Sequence, residues 1–385
     1  MLIGGAGLSI ASTSAGASTK LKGTTLTFGV ISTDTYPGGN TTDATTTISR
    51  WVKYTNSHGG DKGHPVRVIE MNDNDSAATA IQDAQTLIKT DHVIAIGDAS
   101  QTATSFAKVV DKLKVPIISL SGELTGFTYV TDSNTFGNGG APLAGIWAYA
   151  KLGAVTTNGQ MAVVYGSEIA ASAEVPELIT PELAALGGKV VYVGETSEGQ
   201  PNYTATCLAA QSAGATSIAL FTISTSENQR IMDDCAAQHY FPEMLASGPT
   251  VGSGQLFTDT DIPIIVGNVS QIPWFVHNAA TAVFQKVMGS YLSSASSDPD
   301  ITADWVGLQL FAAAAAKIPL HAKPTVKAIY AGLYSFHGNT IGGLTTPTTY
   351  AKGKPSPGQC VYGWESNKGV LSVLNGAKPY CQPAS

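Results

Sequence analysis

Apolar and polar positions along this chain alternate between two periods. Leu26–Ser32 is a β-rich apolar run, and Thr41–Asn56 reads as a helix that stops at Gly59 and Gly60. Val66–Met71 predicts a strand. Ala77–Lys89 places Ala77, Ile81, Ala84 and Ile88 on one helical stripe, with Ser76 as its candidate N-cap. Val93–Gly97 is a short apolar strand, Thr104–Leu113 a helix and Pro116–Leu120 a strand. This βαβα rhythm belongs to a doubly wound parallel sheet.

The rhythm restarts after the glycine-rich stretch Gly137–Gly140. Ala144–Leu152, Val175–Leu186, Tyr203–Ala213 and Ser226–His239 read as helices. Met161–Tyr165, Lys189–Gly194 and Ser217–Phe221 read as strands between them. Ser226 and Gln229 stand at capping-box spacing at the start of the last helix. Three further helices follow, over Asn278–Ser293, Ala303–Lys317 and Thr325–Leu333. After the loop Gly342–Pro357, Gln359–Trp364 and Val370–Leu374 flank Ser366–Gly369 as a β-hairpin. A lone hairpin is marginal in water, so this one must extend an earlier sheet.

The predicted architecture is therefore α/β, with two doubly wound parallel-sheet lobes. The trailing helices return the chain to the first lobe before it ends in the second. Lobe one is expected over residues 24–143 and 276–345, and lobe two over 144–275 and 346–385.

Composition narrows the function. The 385 residues are enough for two cores, and only 13% of them are charged. The net charge is −7, and the 21 Lys and Arg form no run, which argues against nucleic acid as a partner. No stretch of 18 apolar residues spans a membrane. Residues 1–23 open with small and apolar side chains, with Ala15-Gly16-Ala17 resembling a signal-peptidase site, although the first basic residue is Lys20. This stretch is expected to be a signal-peptide remnant or a disordered tail, and the chain is expected to be secreted, periplasmic or cell-surface.

Cys207, Cys235, Cys360 and Cys381 form no C-x-x-C pair and have no histidine at zinc-site spacing. Four cysteines allow three pairings. Cys207–Cys235 and Cys360–Cys381 close the shorter loops and are the favoured disulfides; four buried thiols are the alternative.

Several motifs then fall into a known order. Asn56-Ser57-His58-Gly59-Gly60-Asp61-Lys62-Gly63, the strand Val66–Met71 running into Asn72-Asp73-Asn74-Asp75, and Ala95-Ile96-Gly97 before Ser100-Gln101-Thr102 come first. Val115-Pro116-Ile117-Ile118-Ser119 and the late Gly343-Leu344-Thr345 follow. In this order and spacing the chain resembles the branched-chain amino-acid-binding proteins, the type I periplasmic (solute-) binding proteins of ABC transporters. The resemblance implies two lobes joined by three crossings and a ligand cleft between them. It further implies a small-molecule ligand, delivery to an ABC transporter membrane permease, no enzymatic activity, a monomer and no cofactor.

Candidate ligand residues follow from the resemblance and from topology, since open α/β sheets bind at the carboxyl ends of their strands. Ser100, Gln101 and Thr102 open a helix after a strand and match the loop that holds a ligand carboxylate; Ser100 could instead serve only as an N-cap. Ser121, Gly122 and Glu123 follow the next strand, and Glu123 departs from the family pattern. Tyr36 and Asn40 lie in the first strand-to-helix loop. In the second unit Tyr165 ends a strand, and Ser224 and Thr225 fall near a family tyrosine. Pro249 and Thr250 stand where the family carries a glutamate for the ligand's ammonium. Either Glu123 or Asp34 replaces that acid, or the ligand has no ammonium. Trp274 and Phe275 are placed at the third crossing as hinge packing.

No phosphate loop, nucleophile elbow or metal-protease motif appears. The seven histidines form no metal-spaced pair. The expected ligand is a small carboxylate-bearing molecule, an amino acid or a related organic acid. A ligand-sensing ectodomain and a secreted α/β hydrolase are the alternative readings.

Overall fold

The computed structural model describes residues 21–36, 39–40, 43–121, 132–139, 142–168, 170–222, 224–246, 262, 264–292, 299–356 and 358–383. Strands β1 (Leu26–Ser32), β4 (Val66–Asn72), β5 (Ile96–Ala99), β6 (Ile117–Ser119) and β7 (Thr135–Phe136) form one sheet, in the order β4-β1-β5-β6-β7. All of its pairings are parallel. Between β1 and β4 the chain first makes a two-stranded ribbon, β2 (Thr35–Tyr36) with β3 (Gly39–Asn40), and then helix α1 (Asp43–Ser57). Helices α2 (Ala77–Lys89) and α3 (Ala103–Lys112) connect the next strands.

Ser76 caps α2 by accepting the Thr79 N–H at 3.3 Å. The buried stripe of α2 is Ala80, Ala84 and Leu87, while Ile81 and Ile88 lie at its edge, half-buried. The helix is thus rotated about one residue from the stripe expected, because Ala80 and Ala84 let it lie close to Ile31, Ile96 and α3 in one apolar cluster.

The second sheet repeats the first. Helix α4 (Pro142–Thr156) leads to β8 (Gln160–Gly166), then to α5 (Val175–Ala185), β9 (Lys189–Thr196) and α6 (Thr204–Ser212). Strand β10 (Ser217–Phe221), α7 (Thr225–Ala237), β11 (Glu243–Ala246) and β12 (Ile264–Val269) follow. Strands β9-β8-β10-β11-β12 run parallel in the same order as β4-β1-β5-β6-β7. The terminal hairpin β13 (Cys360–Asn367) and β14 (Val370–Val373) adds to it antiparallel, Gly267 facing Trp364, and β15 (Tyr380–Cys381) pairs with β13. The hairpin therefore finds the sheet edge that its own marginal stability requires.

Helices α8 (Ala282–Leu292), α9 (Pro299–Ala315) and α10 (Val326–Leu333) return to the first sheet, where α9 packs on α1, α10 and β6. Buried Trp51 and Trp305 lie in this core, with Trp305 edge-on to Phe284. The chain thus passes between the sheets three times: after β7, after β12, and before β13. Trp274 and Phe275, placed at the third crossing by sequence, lie on the second, where Trp274 packs edge-on against Trp364.

Two disulfides form as expected. Cys207–Cys235 joins α6 to α7, and Cys360–Cys381 joins β13 to β15.

Candidate functional site

In each sheet the strand order reverses beside one strand: β1 between β4 and β5, and β8 between β9 and β10. Loops diverge at such a point and leave a crevice at the carboxyl ends of the strands.

In the first sheet those ends are held by Asp73, which is fully buried. Its carboxylate accepts hydrogen bonds from the hydroxyls of Thr33 (2.7 Å), Ser100 (2.5 Å) and Thr102 (3.0 Å). It also accepts the Asp75 N–H at 2.9 Å. One carboxylate thereby fastens the ends of β1, β4 and β5 together. Asn74 and Asp75 take positive φ of 51° and 59°, as a tight strand-end turn of polar residues allows.

This arrangement decides what Ser100–Thr102 presents. The Ser100 N–H donates to Asp98 Oδ1, the Gln101 N–H to Thr33 Oγ1 and the Thr102 N–H to Ser100 Oγ. Both hydroxyls and all three N–H groups are engaged inside the fold. The exposed group of the three is the Gln101 side chain. Ser100 is not the N-cap of α3: Thr102 holds that position and makes no side-chain cap bond.

Ser121 lies at the neighbouring strand end and donates its N–H to Asp304 Oδ1 at 3.0 Å. Gly122, Glu123 and Thr250 fall outside the described residues. The backbones of Tyr36 and Asn40 sit on the β2–β3 ribbon, opposite Gly39 and Thr35 respectively. On α1 the Thr45 hydroxyl lies between Asp34 (3.2 Å) and Glu70 (2.9 Å), and burial raises the Glu70 carboxyl above its ordinary range.

In the second sheet, Tyr165 lies opposite Glu195, and their side chains meet at 3.3 Å. Burial, then the Glu195 charge, push the Tyr165 hydroxyl up. Ser224 caps α7 through the Glu227 N–H at 3.1 Å and donates its hydroxyl to Glu198 at 2.7 Å. The capping pair is thus Ser224 with Glu227, not Ser226 with Gln229, because α7 begins at Thr225 rather than two residues later. Buried Glu227 accepts the Thr196 hydroxyl at 2.9 Å. Arg230 turns its guanidinium onto the carbonyls of Glu198 and Gln200 and stacks on Tyr203. The structure thus brings Ser100–Thr102 and Ser121 together on one sheet, and Tyr165 and Ser224 together on the other.

A family model described as a periplasmic binding protein matches residues 25–369. The chain belongs to the periplasmic binding protein family. Solved structures agree in fold along nearly the whole chain. The leucine-binding protein LivK of Thermotoga maritima aligns with a TM-score of 0.72 at 13% identity, over 93% of this chain and 99% of that one. A branched-chain amino acid ABC transporter protein of Thermus thermophilus with bound valine gives 0.76 at 12% identity, over 93% and 97%. A solute-binding protein of an ABC transporter from R. palustris, in complex with 4-hydroxybenzoate, gives 0.72 at 16%, over 93% and 98%. Curated proteins give no match.

Two features of this periplasmic binding protein were missed in its sequence. Asp73 enters the sequence reading only as part of the motif that ends the Val66–Met71 strand, although its place opposite hydroxyl-bearing loops was visible. Asp304, on a long apolar helix, gave no sequence signal at all. Among the described residues no three metal-binding side chains cluster, and no helix is long and apolar enough to cross a membrane. A surface hollow of about 370 Å³ lies between the Asp61-Lys62 turn, the second half of α9 and Asn339–Gly342; none of the sequence-predicted ligand residues lines it.

Proposed function

We propose that this periplasmic binding protein is an extracytoplasmic receptor that captures a small solute and delivers it to the membrane permease of an ABC transporter, without catalysing a reaction. The observation that carries the reading is the paired switch points of two like-ordered sheets, joined by three passages. Lobe boundaries follow at residues 24–143 with 276–345, and 144–275 with 346–385. The solute lies between the strand ends bearing Gln101, Thr102 and Ser121 and those bearing Tyr165, Ser224 and Thr225. A carboxylate-bearing solute is favoured because the fold relatives hold leucine-type amino acids and 4-hydroxybenzoate. Among the three residues at 100–102, Gln101 is the one whose polar side chain is left exposed to reach it.

The test is a melting scan against leucine, valine and 4-hydroxybenzoate, followed by calorimetry. A solute at 100 times its Kd stabilises the chain by about 2.7 kcal/mol and is recovered unchanged. Turnover of a stabilising solute would defeat the reading in favour of an enzyme. Absence of any shift with these and other small organic acids would defeat the carboxylate.

A further inference from the structure

Ser121 stands at the head of the β6–β7 connection, and its N–H bond to Asp304 spans 183 residues of sequence. Asp304 is fully buried on α9. The helix can reach this strand end because residue 307, one turn on, is glycine: a Cβ there would lie 2.4 Å from the Ser119 carbonyl oxygen. The residues just before each partner are joined as well. The Asn138 side-chain amide donates to the carbonyls of both Leu120 (3.1 Å) and Ala303 (2.9 Å).

Asn138 belongs to the first passage between the sheets, and it also receives the other two. Its side-chain oxygen accepts Gln271 Nε2 at 2.7 Å, and its backbone carbonyl accepts the Thr345 hydroxyl at 2.6 Å. Gln271 and Thr345 face each other as an antiparallel bridge on the second and third passages. All three side chains are buried. One asparagine therefore connects every passage to Leu120, and α9 carries the connection on to Ser121.

We propose that Asp304 and Asn138 are positioning residues for Ser121, and that they couple this strand end to the three passages that join the two sheets. The proposal rests on the reading that Ser121 borders the solute site. An ion pair does not explain Asp304. Among the described residues its Oδ2 has no hydrogen-bond partner, the Ser121 side chain acts on the carboxyl alongside the N–H, and the charged groups that act on it, Asp300 and Asp43, are both acidic. What Asp304 supplies is an acceptor at a fixed place, and a neutral amide could supply the same.

The experiment uses Asp304→Ala, Asp304→Asn and Asn138→Ala in the full chain. Hydrogen exchange at the Ser121 amide is read without solute, and affinity for leucine, valine and 4-hydroxybenzoate is read by calorimetry. In Asp304→Ala, Ser121 exchange is expected to rise at least about tenfold, and the best-bound probe to weaken about tenfold. Asp304→Asn keeps an oxygen toward the N–H and is expected to stay within about threefold on both readouts, melting no lower than the parent. Asn138→Ala is expected to raise Ser121 exchange and weaken the probe while leaving Asp304 in place. Unchanged Ser121 exchange in Asp304→Ala overturns the proposal, as does an Asp304→Asn chain damaged as much as Asp304→Ala. If Asp304→Ala does not fold, parent-like exchange and affinity in Asn138→Ala overturn it. If the parent binds none of the probes, the carboxylate reading fails, and the Ser121 exchange data still decide the positioning role.

Discussion

Replacing Asp73 by alanine removes the one acceptor shared by Thr33, Ser100, Thr102 and the Asp75 N–H. A hydrogen bond to a charged group contributes about 1.5–3 kcal/mol. Simple addition of four such bonds overshoots, because partners in one network are strongly non-additive. Deleting the carboxylate leaves no charge behind but strands several buried neutral donors, each costing about 1–3 kcal/mol before local relaxation, so a loss of about 3–5 kcal/mol is expected here. Urea unfolding followed by tryptophan fluorescence reads it, since Trp51 and Trp305 are buried in the same half of the molecule. Ser100→Ala alone removes a single hydroxyl and should cost about 1–2 kcal/mol. The double variant should lose less than the sum of the two, because the Ser100 hydroxyl has already lost its acceptor and keeps only the Thr102 N–H that it accepts. Solute affinity should fall with Asp73→Ala as the Ser100–Thr102 loop loses its anchor. A loss below about 1 kcal/mol for Asp73→Ala, or fully additive losses in the double variant, would refute the view that this carboxylate organises the strand ends.

Four further outcomes are expected. Removing Cys207–Cys235 or Cys360–Cys381, which span 28 and 21 residues, should each cost roughly 3–4 kcal/mol by chain entropy. Mild reductant on the folded chain should open Cys360–Cys381 first, since Cys207 and Cys235 are buried and Cys381 is exposed; alkylation and mass spectrometry read the order. Burial pushes the Asp61 carboxyl up to about 6, against the pull of His64 and Lys62. The folded chain therefore binds a proton that the unfolded chain has released, so this group's contribution to stability falls as pH rises from about 4 to about 6. Asp61→Asn should flatten that part of the melting curve against pH, and parallel curves for the two chains would contradict it. Finally, Gly332→Ala would place a Cβ 1.8 Å from the Ala314 carbonyl oxygen, so α10 must move off α9. A loss of about 1–3 kcal/mol is expected on urea unfolding, and an unchanged midpoint would show that the helices yield freely.

What was legible in the sequence divides along a physical line. Strands such as Leu26–Ser32 and Ser217–Phe221 were found to the residue, because a strand buried on both faces is a continuous apolar run bounded by polar turns. The same period did not reveal β11 or β12. Glu243–Ala246 is too short for a pattern, and Ile264–Val269 contains Gly267 and Asn268, which break the β signature. Gly267 is there for a tertiary reason: a Cβ would lie 2.2 Å from the Trp364 ring, which arrives from nearly 100 residues later. The site behaves likewise. Topology and motif order led to Ser100, Thr102 and Ser121, since strand ends beside a switch point are set by the order of elements. Which atoms those residues leave free is set elsewhere, by Asp73 on the adjacent strand end and by Asp304 on a helix 183 residues away. Hydroxyl-rich loops after parallel strands suggest donors to a ligand, and here those donors are turned inward by a carboxylate on the adjacent strand end. A reading of strand-end loops thus has to ask first which acids the neighbouring strand ends bring, and only then count the hydrogen bonds left for a solute.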